Sequence, residues 1–355
     1  MDSVSKPKFV ILGAGINGLT CAFRLSEKYP RAGFEIISEN FTPNTTSDVA
    51  AGLWEPYLLG STPMELVRKW SRETYNYFHG MWRTGYANEC GICLVPWIGL
   101  CLEGSEMEDV FWKDFVFGFR EISGQRLQRM GKEHNTAYCS GYEFVTFTCE
   151  PTKLLQFYTK ILESRGVKIR KQRIECFQAL EVSPDSIVIN CLGLGSGEIM
   201  TDAQLKPTRG QIRRIKANWI FHAFVNGSAY VIPNTESVTL GGTKQKGDND
   251  LNARAEDAET IRTGCYDFLK ALKHAPLVGD LVGLRPTRTS LRLELEWFGT
   301  ENRNRFPVIH NYGHGGSGIT LAWGCAGEVL HIVHNVLCGT TTGSCHDCPR
   351  GGSKL

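Results

Sequence analysis

The sequence has no hydrophobic run near the ~18 residues that a membrane-spanning helix requires, and it has almost no net charge. Lys and Arg total 39 against 37 Asp and Glu, which gives a formal net charge of +2. This balance supplies no broad positive field for nucleic acid or an anionic membrane surface. With 42% hydrophobic and 21% charged residues, the composition predicts a soluble globular protein with neither partner.

A disulfide framework is not indicated, although the chain has 13 cysteines. Their number is odd, no secretory leader precedes the first strand pattern, and several, such as Cys191 and Cys325, stand alone in apolar segments. We therefore expect reduced thiols. The pair Cys345 and Cys348 has only His346 as a nearby further ligand, so it predicts no four-ligand metal site. Neither a catalytic triad nor an internal repeat is evident.

The N-terminal segment follows the order strand, glycine turn, helix, strand. Lys8 to Leu12 is a short apolar β-prone run, Gly13 to Gly18 reads GAGING, and Phe34 to Ser38 predicts the next strand, with Glu39 at its end. A helical pattern lies between the turn and the second strand. This order predicts a dinucleotide-binding βαβ unit of a Rossmann-like α/β domain.

Each conspicuous position of this unit has a physical role. Gly13 permits a tight turn, Gly15 lets the backbone approach a pyrophosphate, and Gly18 lets the helix pack closely on the strand. The phosphates would meet the helix N-terminus. Glu39 would accept hydrogen bonds from the adenosine ribose, which disfavours NADP. The turn by itself leaves NAD and FAD open as the cofactor.

The rest of the chain predicts a mixture of strands and helices. Up to Tyr142 we expect helical and irregular segments, and the later short strands without intervening helices predict antiparallel pairing. Glycine-rich turns are expected at Gly193 to Gly197 and Gly313 to Gly318. The predicted later strands are Tyr142 to Cys149, Val167 to Arg173, Ser186 to Cys191, Trp219 to Phe224, Ala229 to Pro233, Ser237 to Leu240 and Pro307 to His310. The predicted later helices are Lys153 to Ser164 and Ile319 to Val336.

Several separated segments resemble the D-amino acid oxidase family, which includes the D-aspartate oxidases. They are FTPNTTSDVAAGLWEPY (Phe41 to Tyr57), RGQI (Arg209 to Ile212), VTLGGTKQKGD (Val238 to Asp248), GLRPTR (Gly283 to Arg288) and HNYGHGGSGIT (His310 to Thr320). The likeness covers about residues 8 to 335. It implies an FAD-binding domain built from residues 1–52, 145–205 and 286–340, and a mixed or antiparallel cap domain built from residues 53–144 and 206–285. Residues 341–355 are predicted to form a tail.

The resemblance implies non-covalently bound FAD as the cofactor. It assigns the following residues to FAD binding: Gly13, Ala14, Gly15, Gly18, Glu39, Asn40, Thr45, Thr46, Ser47, Ala51, Gly52, Leu53, Ile174, Gly315, Gly318, Ile319 and Thr320. The alternative interpretation of Thr45 to Ser47 is a loop that caps a helix.

The resemblance also implies a substrate site and a reaction. Arg285 would pair its planar guanidinium with the substrate α-carboxylate, Tyr230 would add a hydrogen bond to that carboxylate, and Gly316 would present its carbonyl to the amine. The alternatives are a structural salt bridge for Arg285 and a core aromatic for Tyr230. The implied reaction is hydride transfer from the substrate Cα to flavin N5, giving an imino acid that hydrolyses to a 2-oxo acid and ammonia. Oxygen then reoxidises the flavin and yields hydrogen peroxide.

The substrate branch depends on a second cation. Lys244 stands where the aspartate branch carries an arginine, and it would attract a side-chain carboxylate as a point charge; the alternative is a solvated lysine. Phe224 to Ala229 resembles the family's lid before the strand tyrosine; it lacks the arginine of the aspartate branch, but its short length points away from the neutral branch. Glu55 would repel an acidic substrate and favours the neutral branch. We predict acidic D-amino acids as substrates. The alternatives are neutral D-amino acids, a nicotinamide-dependent dehydrogenase, or a non-catalytic FAD-binding protein.

The last three residues, Ser353 to Leu355, read SKL. At a free C-terminus this tripeptide is a peroxisomal address, so the sequence predicts an import receptor as partner and the peroxisome matrix as location.

Overall fold

The computed structural model describes residues 6–57, 59–105, 110–177, 180, 182–183, 185–300 and 303–339. The helices are α1 (Ile16–Lys28), α2 (Thr46–Val49), α3 (Met64–Trp82), α4 (Ala87–Cys90), α5 (Gly124–His134), α6 (Pro151–Ser164), α7 (Gly195–Met200), α8 (Ala255–Phe268) and α9 (Gly318–Leu337). The strands are β1 (Lys8–Leu12), β2 (Gly33–Ser38), β3 (Ile92–Leu102), β4 (Phe117–Ile122), β5 (Tyr138–Cys149), β6 (Lys168–Lys171), β7 (Ser186–Asn190), β8 (Lys206–Ile215), β9 (Ala223–Asn226), β10 (Ala229–Pro233), β11 (Val238–Gly241), β12 (Gln245–Lys246), β13 (Leu277–Thr300) and β14 (Arg303–His314).

A continuous mixed sheet carries these elements in the order β4-β5-β3-β9-β10-β11-β8-β13-β14-β7-β1-β2-β6, with β12 paired to β8. The stretch β14-β7-β1-β2-β6 is parallel, whereas β9, β10, β11, β8, β13 and β14 pair antiparallel in that succession. The predicted α/β fold with a Rossmann-like unit and an antiparallel portion is confirmed.

Strand β1, in the middle of the parallel stretch, is buried on both faces. In β1, Phe9 and Ile11 pack into one apolar cluster, while Val10 and Leu12 pack into another on the opposite face. A strand covered on both sides reads as a continuous apolar run, which is why KFVIL lacks alternation. The carboxyl ends of β1, β2 and β7 lie side by side, because the amide of Gly13 donates to the carbonyl of Ile37 (2.8 Å) and that of Cys191 to the carbonyl of Leu12 (2.9 Å).

Most predicted elements are present with shifted ends, but two predictions are wrong. The segment before Tyr142 contains β3 and β4, which the sequence analysis missed because ICLVPWIGLCL is apolar without alternation. The strand predicted from Trp219 begins only at Ala223. Trp219 and Phe221 are 52% and 70% exposed, and a turn bond joins Ile220 to Ala217.

Smaller corrections concern strands and turns. The long strands β8 and β13 were not predicted, although Leu291 to Trp297 alternates apolar and charged residues as a half-buried strand does. The turn predicted at Gly193 to Gly197 passes into α7 at Gly195, and Gly313 belongs to β14 and not to a loop.

The predicted domain division stays a prediction. Its boundary at residues 144/145 lies inside β5, and its boundary at 285/286 lies inside β13. Cys345, Cys348 and the tripeptide Ser353 to Leu355 lie outside the described residues. No helix in the described part of the chain is both long and apolar enough to cross a membrane.

A close helix crossing gives a stability prediction. A Cβ on Gly324 in α9 would lie 2.3 Å from the backbone of Trp70 in α3, so Gly324→Ala must push the two helices apart. We expect the free energy of unfolding to fall by about 1–3 kcal/mol. The control is Gly80→Ala in α3, where a Cβ meets nothing within 4 Å and helix propensity favours Ala by about 0.5–1 kcal/mol. Urea unfolding of both variants measures the difference, and equal midpoints would contradict the prediction.

Candidate active site

A cavity of about 1100 Å³ runs from the carboxyl ends of β1 and β2 to the antiparallel portion of the sheet. It is large enough for a cofactor together with a small substrate, since ligand sites commonly occupy about 300–1,000 Å³. The predicted site residues that line it are Gly13, Ala14, Gly15, Glu39, Asn40, Thr45, Thr46, Ser47, Ala51, Gly52, Leu53, Ile174, Tyr230, Lys244, Arg285, Gly315, Gly316, Gly318 and Ile319. Gly18 and Thr320 are not among the residues that line it, and their assignment to FAD stays a prediction.

The N-terminus of α1 is shaped to receive phosphate. Gly13 has a φ of 97°, and a Cβ on Gly18 would lie 1.9 Å from the Gly13 carbonyl oxygen, so only glycine lets the helix start this close to the turn. Gly15 precedes the helix without a side-chain cap, and the first turn carries no acidic residue. A helix end of this kind attracts an anion to its amides.

Thr45 to Ser47 combines the two interpretations that the sequence left open. Thr45 lines the cavity and also forms the N-cap of α2, where its amide and hydroxyl both donate to the buried carboxylate of Asp48 (2.9 and 2.6 Å). The Ser47 hydroxyl accepts a hydrogen bond from the amide of Ile16 (3.0 Å). The short helix therefore buttresses the first glycine turn while facing the cavity.

A second glycine turn lies at the start of α9, which again has no acidic residue in its first turn. Ser317 donates to the carbonyl of Tyr57 and accepts from its amide, both at 2.6 Å. Thr320 makes the same pair of bonds to Glu55, at 2.9 and 3.2 Å. Ser317 and Thr320 therefore hold the segment that carries Glu55 and Tyr57 against the helix.

His314 connects the two glycine turns. Asn17 at the start of α1 donates to His314 Nδ1 at 3.2 Å. Burial lowers the pKa of His314 to about 3, so the imidazole stays neutral at ordinary pH. The ring of His314 thus joins the two turns without adding a positive charge beside the cavity.

The far end near β2 carries charged side chains. Arg173 lies 3.6 Å from Glu39 and 2.8 Å from Glu198, and all three line the cavity. Glu39 is half exposed at the position where an acid would accept hydrogen bonds from a ribose.

The opposite end is built around Arg285 and Tyr230. Arg285 Nη1 donates to the carbonyl of Thr243 at 3.0 Å. A Cβ on Gly210 would lie 2.3–2.6 Å from the guanidinium atoms, so this glycine makes the space that Arg285 fills. Burial raises the pKa of Tyr230, partly opposed by the charge of Arg285, so the phenol stays protonated and can donate.

Sequence reasoning missed the glycines that shape this end. A Cβ on Gly241 or Gly242 would lie 1.8 or 2.7 Å from the phenol of Tyr230. Together with Gly210 they belong to the RGQI and VTLGG segments, which resemble the family but carry no reactive side chain at these positions. The available signal was a glycine inside a strand pattern, which marks a close approach of another group.

Lys244 also lines this end. Its Nζ lies 5.3 Å from the ring centroid of Tyr57, within the range of a cation–π contact. Glu55 lines the same cavity. The arrangement brings Arg285, Tyr230, Gly316 and Lys244 around one space.

The FAD dependent oxidoreductase family matches residues 8–331 of the chain. The chain belongs to this family. It is 37% identical to a D-aspartate oxidase of Homo sapiens over 92% of this chain and 94% of that protein. It is 36% identical to a D-amino acid oxidase of Dugesia ryukyuensis over 92% of this chain and 97% of that protein. Membership makes FAD the cofactor and removes the nicotinamide alternative.

Solved structures show the same fold. A glycine oxidase from Bacillus cereus ATCC 14579 superposes with a TM-score of 0.71 at 15% identity, covering 95% of this chain and 96% of that one. An iminodiacetate oxidase from Chelativorans sp. BNC1 gives a TM-score of 0.69 at 18% identity, covering 93% and 95%. At these identities the likeness concerns the fold alone.

The residues present fit FAD. The cavity provides the starts of α1 and α9, neither of which has a side-chain cap, to face negative charge. It also provides the turn Gly13 to Gly18, here called the glycine cradle, whose close packing a Cβ at Gly18 would destroy, and an acid at Glu39 for the ribose. When bound, FAD supplies the hydride acceptor and the reaction with oxygen.

The cradle gives a binding prediction. Gly18→Ala should raise the FAD dissociation constant at least about tenfold, or about 1.4 kcal/mol, because the added methyl forces α1 away from Gly13. Flavin fluorescence titration of the apoprotein measures it. The control is Gly33→Ala at the start of β2, where the nearest atom to a Cβ is 3.6 Å away and no change is expected. Unchanged affinity in Gly18→Ala would refute the cradle.

Proposed function

We propose that this protein is an FAD-dependent oxidase of D-amino acids that yields the 2-oxo acid, ammonia and hydrogen peroxide. The observation that carries the proposal is the pairing of Arg285 with a protonated Tyr230 at one end of a cavity whose other end fits FAD. The preference for the D-enantiomer rests on the two relatives named above, a D-aspartate oxidase and a D-amino acid oxidase.

Arg285 and Tyr230 would bind the substrate α-carboxylate. The guanidinium offers a planar fork that matches a carboxylate, and the phenol adds a donor. Because the carbonyl of Thr243 holds Nη1, the orientation of the fork is set before substrate arrives. The carbonyl of Gly316, at the turn before α9, would accept a hydrogen bond from the substrate amine.

Apolar side chains that also line the cavity are those of Leu53, Trp97, Val225 and Ile232. Apolar walls of this kind would limit the access of water to the reacting carbon. No nucleophile or general base of the protein is required, since the contribution of the chain is to bind and orient the substrate.

The side chain of the substrate is proposed to be acidic. Lys244 is the cation that supports this proposal, because its ammonium over the ring of Tyr57 could attract a second carboxylate. Glu55 and the apolar wall favour the alternative of neutral D-amino acids. Location in the peroxisome stays a prediction from Ser353 to Leu355.

A substrate panel tests the activity. Oxygen consumption should be seen with the D-enantiomers, and not the L-enantiomers, of Asp, Glu, Ala and Pro, with turnover of D-Asp or D-Glu above that of D-Ala. Arg285→Lys keeps the charge but loses the fork, so its kcat/KM should fall about 100-fold, a loss of about 2.7 kcal/mol. Faster oxidation of D-Ala than of both acidic substrates would replace the acidic branch by the neutral one. Absence of peroxide with every D-amino acid would leave a non-catalytic FAD-binding protein.

A separate test concerns Lys244 as the partner of the substrate's side-chain carboxylate. Lys244→Met should raise the KM for D-Asp about tenfold and leave the KM for D-Ala within about twofold, because only the second carboxylate loses a partner. Lys246→Met is the matched control, since Lys246 is exposed two residues away and does not line the cavity. Equal effects of Lys244→Met on both substrates would count against the proposed role.

A further inference from the structure

The RGQI segment contains a buried charge that the proposed reaction does not use. Arg209 on β8 is fully buried, which is rare for arginine, and its carboxylate partner Asp257 lies at 2.6 Å. Neither residue lines the cavity. A buried ion pair is weak evidence for stability, because the cost of removing two charges from water offsets much of the attraction between them. The role of the pair is therefore sought in the parts of the chain that it holds in place.

Arg209 holds the segment from Thr243 to Arg254, which contains the two-residue strand β12 and is here called the 243–254 loop. Nε donates to the carbonyl of Asp250 (2.8 Å), and Nη2 donates to the carbonyl of Asn252 (2.6 Å). Nη1 donates to the side chain of Gln245 (2.6 Å). With further bonds from Nη1 to Asp257 and from Nη2 to Gln211, the guanidinium uses its fixed fork to fasten three positions along the loop.

Gln211 fastens both ends of the same loop. The backbone N–H of Gln211 donates to the hydroxyl of Thr243 (2.8 Å). Its side-chain NH₂ donates to the carbonyl of Arg254 (2.9 Å), and its side-chain oxygen accepts from the backbone N–H of Arg254 (2.8 Å). Gln245 in turn donates to Asp257 at 2.9 Å, so the residue next to Lys244 is held by both members of the buried pair.

The 243–254 loop supplies the substrate end of the cavity. The carbonyl of Thr243 accepts from Arg285 Nη1 (3.0 Å), and Thr243, Lys244 and Leu251 line the cavity. None of the residues assigned to FAD belongs to this loop. Displacing the loop would therefore disturb the carboxylate-binding guanidinium and leave the cofactor half intact.

We propose that Arg209 is a positioning residue for substrate carboxylate binding: through the 243–254 loop it fixes the carbonyl of Thr243 and thereby the orientation of Arg285. This inference rests on the proposed oxidase function. The expected signature of its loss is a higher KM with little change in kcat or FAD affinity, because the fork is loosened before binding and the cofactor contacts persist.

The test uses a double variant that removes the buried pair without leaving one charge unpaired, Arg209→Met with Asp257→Asn. The matched control is Arg213→Met with Asp280→Asn. Arg213 lies on β8, as Arg209 does, and forms a two-point ion pair (2.8 and 2.9 Å) with Asp280 on β13; neither residue lines the cavity. The measurements on the holoenzymes are KM and kcat for a D-amino acid that the parent oxidises, and hydrogen exchange of the backbone amides of residues 243–254.

In Arg209→Met/Asp257→Asn we expect faster exchange in the loop and a KM about tenfold higher, which corresponds to about 1.4 kcal/mol. The flavin content and the kcat should stay within about twofold of the parent values. The control pair should leave loop exchange and KM unchanged. Arg209→Lys keeps the charge but cannot form the fork, so its KM should be intermediate.

Two results would overturn the proposal: unchanged exchange in the loop, or faster exchange with an unchanged KM. If the double variant gives no soluble holoenzyme, Gln245→Met provides the test, because it removes one bond between Arg209 and the loop and keeps the Arg209–Asp257 pair. Unchanged exchange in the loop, or an unchanged KM, in Gln245→Met would also overturn the proposal. A parent protein that oxidises no D-amino acid refutes the proposed function instead, and the exchange measurement still decides whether Arg209 holds the loop.

Discussion

A guanidinium can serve as a receptor for carboxylate only when its own position is set by the protein, and this requirement organises the antiparallel half of the molecule. Arg285 is placed by the carbonyl of Thr243 on one side and by the absence of a side chain at Gly210 on the other. Tyr230 occupies the space left by Gly241 and Gly242. Backbone groups next to Arg285 and Tyr230 thus set the positions of both side chains before substrate binds.

In the other half of the cavity, the N-termini of two helices face the space where FAD would bind. The starts of α1 and α9 carry no acidic residue, and a neutral His314 links them through Asn17. Because burial lowers the pKa of His314 to about 3, the imidazole is neutral at ordinary pH and adds no charge to the field of the helix amides. Ser317 and Thr320 fasten the segment of Glu55 and Tyr57 to α9, which connects the cofactor half to the wall of the substrate site.

Prediction from sequence was best where chemistry is local. The βαβ unit was found because the glycine turn, the helix pattern and the strands are adjacent in the chain. The FAD and substrate residues were assigned instead from the family resemblance of separated motifs, and their roles stay predictions. The strands β3, β8 and β13 were missed because their partners lie far away along the sequence, and a run such as ICLVPWIGLCL has no period that distinguishes a buried strand from a buried helix. Arg209 was quoted in a motif and given no role, since a buried arginine can only be interpreted from its partners.

The sequence by itself determined that the chain binds a dinucleotide, because Gly13, Gly15 and Gly18 meet a steric demand within one turn, and its separated motifs indicated the family. Only the tertiary structure decided which groups meet at the substrate end. Arg285, Tyr230, Thr243 and Gly210 come from strands and loops that pair through long-range sheet contacts. Their proximity depends on register, and register is a property of the whole sheet, not of any one segment.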